Sequence, residues 1–391
     1  MLTKTLTRLR THRFILILAG SALLSACGTP RGGIQEVSPQ AASRGAFAPA
    51  VDPSTTTEPP AIASPAVSIE ALEAFLDAEM AAANIPGLSL AVINDGRVVY
   101  ATGRGDAGPD QPVDDDTVFE AASLSKPMFA YLTLTAVDRG LLDLDRPLLD
   151  YLDYAYPGID YDNPHHKLIT ARRVLSHTTG LPNWRPDFAL EIAFEPGTDF
   201  SYSGEGYQLL AKALQSILQT DHRGLEDDFQ QNVAGPLGLD RTRFVQDESN
   251  LKHKATPHRN GQPLPVNRSP AEEFGAAYAV HSNATEYARW LVAVMRGEGL
   301  SEANHAAMFT DQFVLPEGSP FEAYYVEAWT LGLGRHRFGD QAVYGHMGDN
   351  EGYTALFLID PQRQWGMVVL TNADDVDDFT FELFRFLAQL S

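Results

Sequence analysis

The chain has 391 residues, and 51 acidic side chains against 29 basic ones leave a net charge of −22. That balance argues against nucleic acid and against electrostatic adhesion to anionic lipid. The single cysteine, Cys27, rules out an intramolecular disulfide and a cysteine-built metal cage.

Residues 1–26 read as a signal peptide. Lys4, Arg8, Arg10 and Arg13 form a basic segment, and residues 14–26 are apolar but too few to span a bilayer. The segment ends in Leu24-Ser25-Ala26-Cys27, which resembles the lipobox of bacterial lipoproteins. The resemblance implies acylation of Cys27 and a chain anchored to a membrane of the bacterial cell envelope, facing the periplasm or exterior. Several acyl chains would hold it there stably where one would not. Residues 27–66 carry the lipid-bearing cysteine and a tether rich in Pro, Ala, Ser and Thr, with too little apolar surface to build a core.

Residues 67–391 are enough for one large domain. Ser68 stands as a cap before Leu72, Phe75, Leu76 and Met80, which recur at helical spacing, and Pro86-Gly87 closes that helix. Residues 88–93 and 97–102 flank Asn94-Asp95-Gly96, a hairpin signal. Near the other end, residues 341–345, 353–359 and 365–371 read as strands, and 377–390 as a closing helix. Residues 140–320 carry mainly helical patterns and loops. The expected fold is therefore α/β (α+β): an antiparallel sheet formed by both chain ends and flanked by helices, with a mainly helical lobe inserted between them.

Ser123-Leu124-Ser125-Lys126 runs into Pro127 and an apolar stretch over 128–137. Proline fits a first helical turn, and residues three apart share a helix face about 5–6 Å apart. Lys126 can thus reach the Ser123 hydroxyl, and a serine beside a neutral amine is an activated nucleophile. Taken alone, the same pattern also fits an N-cap serine with a solvated lysine.

Two later stretches change its weight: Tyr202-Ser203-Gly204 and His346-Met347-Gly348. With Leu175-Ser176-His177-Thr178-Thr179-Gly180-Leu181-Pro182 and Gly235-Pro236-Leu237-Gly238, the ordered set resembles the serine β-lactamase and penicillin-binding family. The branch is the one related to class C β-lactamases, D-aminopeptidases and carboxylesterases. That family carries Ser-x-x-Lys, Tyr-x-Asn and Lys-Thr-Gly or His-x-Gly in this order, and the resemblance covers nearly all of residues 67–391. It implies a β-lactamase/transpeptidase-like fold without a cofactor. Ser123 would be the acylated nucleophile, Lys126 its activator, and Tyr202 the general base and then the acid. His346 and Gly348 would line the site, with Gly348 letting the backbone approach substrate. The oxyanion would rest on the N–H groups of Ser123 and Asp349.

Two positions depart from the pattern. Gly204 replaces the motif asparagine, and His346 stands where β-lactamases mostly have lysine. Asp349 and Glu351 are expected to add negative charge at the same rim. A small-molecule or peptide-like ester or amide with a neutral or cationic recognised end fits this best. A β-lactamase or D,D-peptidase, and a non-catalytic binding lipoprotein, are the competing readings. His177 reads as a brace for loops near the site. The pair His165-His166 lacks metal-ligand spacing, so no metal is expected. Asp114-Asp115-Asp116 and Asp374-Asp375 read as solvated turns and helix starts. No Gly-x-Ser-x-Gly elbow, His-Glu-x-x-His or phosphate loop is present.

Overall fold

A computed structural model describes residues 68–185, 188–338 and 341–389. The expected signal peptide, Cys27 and tether lie outside the described residues. Among those described, no helix is long and apolar enough to cross a membrane.

Helix α1 (Ile69–Ala83) starts at Ser68, whose Oγ accepts the Ala71 N–H, and stops at Asn84 in the left-handed conformation. Strands β1 (Gly87–Asn94) and β2 (Arg97–Gly108) follow, then the short β3 (Gln111–Pro112). Asp95 and Gly96 both have positive φ, which is the turn geometry whose twist suits a two-residue hairpin. Four helices concern the rest: α2 (Ser125–Asp138), α3 (Gly204–Leu218), α4 (Ala284–Arg296) and the terminal α5 (Asp377–Gln389). Between α4 and α5 lie β4 (Phe313–Val314), β5 (Val326–Trp329), β6 (Gly334–Phe338), β7 (Gln341–Asn350), β8 (Tyr353–Asp360) and β9 (Trp365–Thr371). The strands form one antiparallel sheet in the order β3-β2-β1-β9-β8-β7-β6-β5-β4. The sheet is built from both chain ends, as expected; the strands β4, β5 and β6 toward one edge add to what the sequence reading assigned.

Both faces of the central strands are covered, which explains their unbroken apolar runs. Leu90, Val92, Leu356, Leu358, Met367 and Val369 point to one face, under α1 and α5. Ala91, Ile93, Ala355, Phe357, Val368 and Leu370 point to the other, where α2, α3 and α4 bring Phe129, Leu210, Tyr287 and Trp290. Two-residue periodicity assigns each side chain its face.

The sheet meets the helical part at Gly348. A Cβ there would lie 2.5 Å from the Ala121 carbonyl oxygen and 3.0 Å from Leu124 Cδ1. The expected reason for this glycine was close approach of substrate. The group that approaches is the chain's own turn carrying Ser123. Gly348→Ala should therefore cost about 1–3 kcal/mol, in line with overpacking elsewhere. Urea denaturation would measure the loss, and a wild-type midpoint would show that the turn is free to shift.

Candidate active site

Ser123 is reached through a two-residue strand, Phe119–Glu120, paired with His281–Ser282, followed by a tight 3-10 turn at Ala122–Leu124. Ala122 takes φ 51°, a conformation uncommon for a residue with a Cβ. Contacts on every side hold it there. Ser125 Oγ donates to the Ala122 carbonyl at 2.6 Å and accepts the Val280 N–H at 2.9 Å. The Tyr287 hydroxyl donates to the Leu124 carbonyl at 2.8 Å. Strain of this kind persists where surroundings over-determine it.

Lys126 follows on the first turn of α2 and is 1% exposed. Its Nζ lies 3.1 Å from Ser123 Oγ and donates to the Ala277 carbonyl at 2.9 Å. The faces of Tyr202 and Tyr207 close over it, with ring centres at 4.7 and 5.8 Å. Among the described residues no carboxylate pairs with it. Burial therefore lowers its pKa to about 7. A neutral amine can donate one N–H to Ala277 while its lone pair receives the Ser123 hydroxyl.

Tyr202 approaches Ser123 from the other side. Its position is fixed by the start of α3, where Ser203 Oγ caps the Gly206 N–H at 2.9 Å and donates to the Pro182 carbonyl at 2.8 Å. His177 completes the brace: its Nδ1 accepts the Ser203 N–H at 2.9 Å, and its ring lies 4.3 Å from that of Tyr202. Burial raises the Tyr202 phenol well above its ordinary range, while a hydrogen bond with Ser123 opposes the shift. The resting phenol is protonated.

His346 lies 3.4 Å from the Tyr202 hydroxyl through Nε2. Its Nδ1 is 2.6 Å from the Met347 carbonyl, which can only accept, so Nδ1 carries the proton and Nε2 is a bare acceptor. Burial, and after it the nearby Lys126, lowers the His346 pKa to about 3. At neutral pH this residue supplies no positive charge.

Strand β7 pairs with β6 only as far as Gly345, whereas its pairing with β8 continues to Asn350. The edge over 346–350 is thus the one that meets the Ser123 turn. Alternation along β7 sends the Asp349 side chain to the opposite face, with Met347, which packs against the core under α1 and α5. There, desolvation and then Asp377, Asp375 and Asp374 raise the Asp349 carboxyl to about 7, although it keeps contact with solvent. Glu351 is ion-paired with Arg259 at 3.2 Å. The expected negative rim is therefore corrected: one carboxyl faces away and the other is paired.

Ser123, Lys126, Tyr202 and His346 thus converge, and Gly348 backs the turn that carries Ser123. The sequence reading missed the support behind them. Glu120 pairs with Lys254 at 2.6 Å and accepts the Asn350 amide at 2.6 Å, tying the entry to Ser123 to the end of β7. Trp329, from β5, stands 5.9 Å from the Tyr202 ring and 5.6 Å from His346. Glu120 adjoined the motif, but its partners are remote in sequence and nothing local signalled them. Away from the site, His166 Nε2 bonds the Leu190 carbonyl at 3.1 Å. Asp374 is buried and paired with Arg259 at 2.8 Å, not solvated as expected. Asp114, Asp115 and Asp116 are exposed.

The Beta-lactamase family model matches residues 72–390, and the chain belongs to that family. It is similar to Esterase EstB of Burkholderia gladioli, at 29% identity over 243 residues covering 54% of this chain and 59% of the relative. It shares its fold with the octameric penicillin-binding protein homologue from Pyrococcus abyssi, at 22% identity and TM-score 0.69, covering 83% of this chain and 78% of that one. The D-amino acid amidase from Ochrobactrum anthropi SV3 is similar too, at 21% identity and TM-score 0.67, covering 82% and 97%. The chain spans less than two thirds of the length of the curated relatives it matches.

Two outcomes follow from the Lys126 environment. Labelling of Ser123 by a fluorophosphonate should accelerate with pH through an apparent pKa of about 7 and then level off. A flat profile would contradict the neutral-amine arrangement. The lowered pKa also destabilises the fold: the penalty is full below about pH 7 and fades as pH rises toward the ordinary value of 10.5. Between about pH 6.5 and 9 the wild type should gain about 2–3 kcal/mol relative to Lys126→Met, as read by urea denaturation.

Proposed function

We propose that this protein is a serine hydrolase that works through a Ser123 acyl-enzyme and cleaves an ester or amide whose recognised end is neutral or cationic. The observation that carries the reading is Ser123 Oγ, held between a buried lysine amine and a tyrosine hydroxyl. Lys126, with a pKa near 7, accepts the serine proton as Oγ attacks the carbonyl carbon. The raised Tyr202 phenol fits the first base role less well, so that role passes to Lys126. Tyr202 then donates its proton to the departing oxygen or nitrogen, and the Lys126 ammonium restores it. Water repeats the sequence in reverse to release the acid. The N–H groups of Ser123 and Asp349 are the proposed oxyanion donors, each worth about 2.7–4 kcal/mol in comparable sites.

Substrate class rests on His346. A neutral imidazole cannot grip a carboxylate as a fixed lysine would, so β-lactams and peptide C-termini lack their anchor. The names of two relatives, an esterase and a D-amino acid amidase, accord with this. The lipobox-like Leu24-Ser25-Ala26-Cys27 supports a lipid-anchored enzyme on the envelope, working on small or peptide-like substrates.

The wild type should hydrolyse a short p-nitrophenyl ester with a kcat/KM orders of magnitude above that for nitrocefin. Ser123→Ala should lose at least about 10³-fold of the ester activity, together with the fluorophosphonate adduct seen by intact mass. Nitrocefin turning over faster than every ester would reverse the substrate assignment.

A further inference from the structure

Gly204 has room for conformation but none for a side chain. Its φ is not positive, and it occupies the first position of α3, where most residues fit. A Cβ built there would lie 2.9 Å from the Asn183 carbonyl oxygen, 2.9 Å from Trp184 Cη2 and 3.0 Å from Trp184 Cζ2. The six-membered edge of the Trp184 indole therefore fills the space into which a residue at 204 would project. Asn183 locks the arrangement by accepting the Gly204 N–H on Oδ1 at 3.0 Å and, through its carbonyl, the Glu205 N–H at 3.0 Å.

The same indole packs edge-on against Tyr278, with ring centres 5.6 Å apart. Tyr278 adjoins Ala277, the carbonyl that holds Lys126 Nζ, and Gly204 is two residues from Tyr202. The aromatic pair thus bridges the two segments that carry the lysine's acceptor and the tyrosine. Both rings are only half buried.

We infer that Trp184 is a specificity-determining residue: its indole takes the space a side chain at 204 would occupy, and with Tyr278 it forms an aromatic wall that seats an aromatic or bulky apolar acyl group beside it. This deepens the hydrolase reading above and rests on it. An indole offers area and a π face but no positive charge to pair with a carboxylate, in keeping with the neutral His346.

The test is a double-mutant cycle on the full chain with Trp184→Ala, Gly204→Asn and the pair, plus Trp184→Phe as a conservative control. Substrates are p-nitrophenyl phenylacetate and p-nitrophenyl acetate. The ratio of their kcat/KM values should fall about 10-fold or more in Trp184→Ala, the scale of one apolar group in a pocket. Trp184→Phe should retain most of the ratio. An unchanged ratio in Trp184→Ala overturns the proposal. Thermal unfolding gives a readout independent of activity: Gly204→Asn should lower Tm by about 2–6 °C in the wild type and by less in the Trp184→Ala background, where the Asn183 carbonyl still crowds the new side chain. Equal losses in both backgrounds overturn the assignment of this space to the Trp184 indole. If no ester is hydrolysed by the wild type while the Tm cycle is non-additive, the hydrolase reading has failed and the packing has not.

Discussion

The constraint on which this site depends is a lysine amine sealed from water without a counter-charge. A drop from 10.5 to about 7 corresponds to about 5 kcal/mol of penalty on the protonated form. The protein carries it because α2 is buried almost all round: Met128, Phe129, Leu132 and Leu134 are fully enclosed. The helix that holds Lys126 is thus also a central element of the core. Weakening the core would let water reach the amine, return its pKa toward that of a solvated lysine and end its proposed use as a base. Stability and reactivity are here the same packing, viewed at different atoms.

Around that amine the protein spends backbone strain and long-range contacts on Ser123. Ala122 is held in the left-handed region, Gly348 lets β7 press against the turn, and Glu120 joins Lys254 and Asn350 just behind it. The Glu120–Lys254 pair keeps its charges among themselves, so it shapes the approach to Ser123 without adding net charge beside Lys126. The large negative charge of the chain is placed elsewhere: Asp349 opens to the other face of the sheet, and Glu351 and Asp374 both lean on Arg259. The result is a site whose resting charge depends chiefly on one titrating amine.

Much of this was legible in the chain, for identifiable reasons. The central strands carry apolar runs because both their faces are covered, and Asn94-Asp95-Gly96 dictates its own turn. Ser123 and Lys126 meet because helical spacing puts them together. What escaped was set by tertiary contact. Strand β6, Gly-Arg-His-Arg-Phe, alternates buried residues with a half-buried and an exposed arginine and offers no apolar run. Lys254 finds Glu120 across 134 residues. The Asp349 charge was assigned by proximity to His346 along the chain, whereas a strand sends residues three apart to opposite faces. Continuing the strand read at 341–345 through Asn350 with the same periodicity contains the correction.

The replacement of a lysine by His346 and the low pKa of Lys126 belong to one arrangement. A second fixed cation beside Tyr202 would repel the Lys126 ammonium and hold its pKa down further, and it would also favour an anionic substrate that restores the balance. With a neutral imidazole, no such compensation is needed: Tyr202 keeps an uncharged acceptor at 3.4 Å, and Lys126 is governed by burial above all. A carboxylate entering this space would lose its hydration and find only dipoles and aromatic faces in return, a poor exchange for a charge. An uncharged acyl group loses little by the same transfer and gains contact with the rings. The proposed discrimination against carboxylate-bearing substrates therefore follows from the proposed means of activating Ser123, since excluding water from Lys126 also removes the solvation that a carboxylate would require.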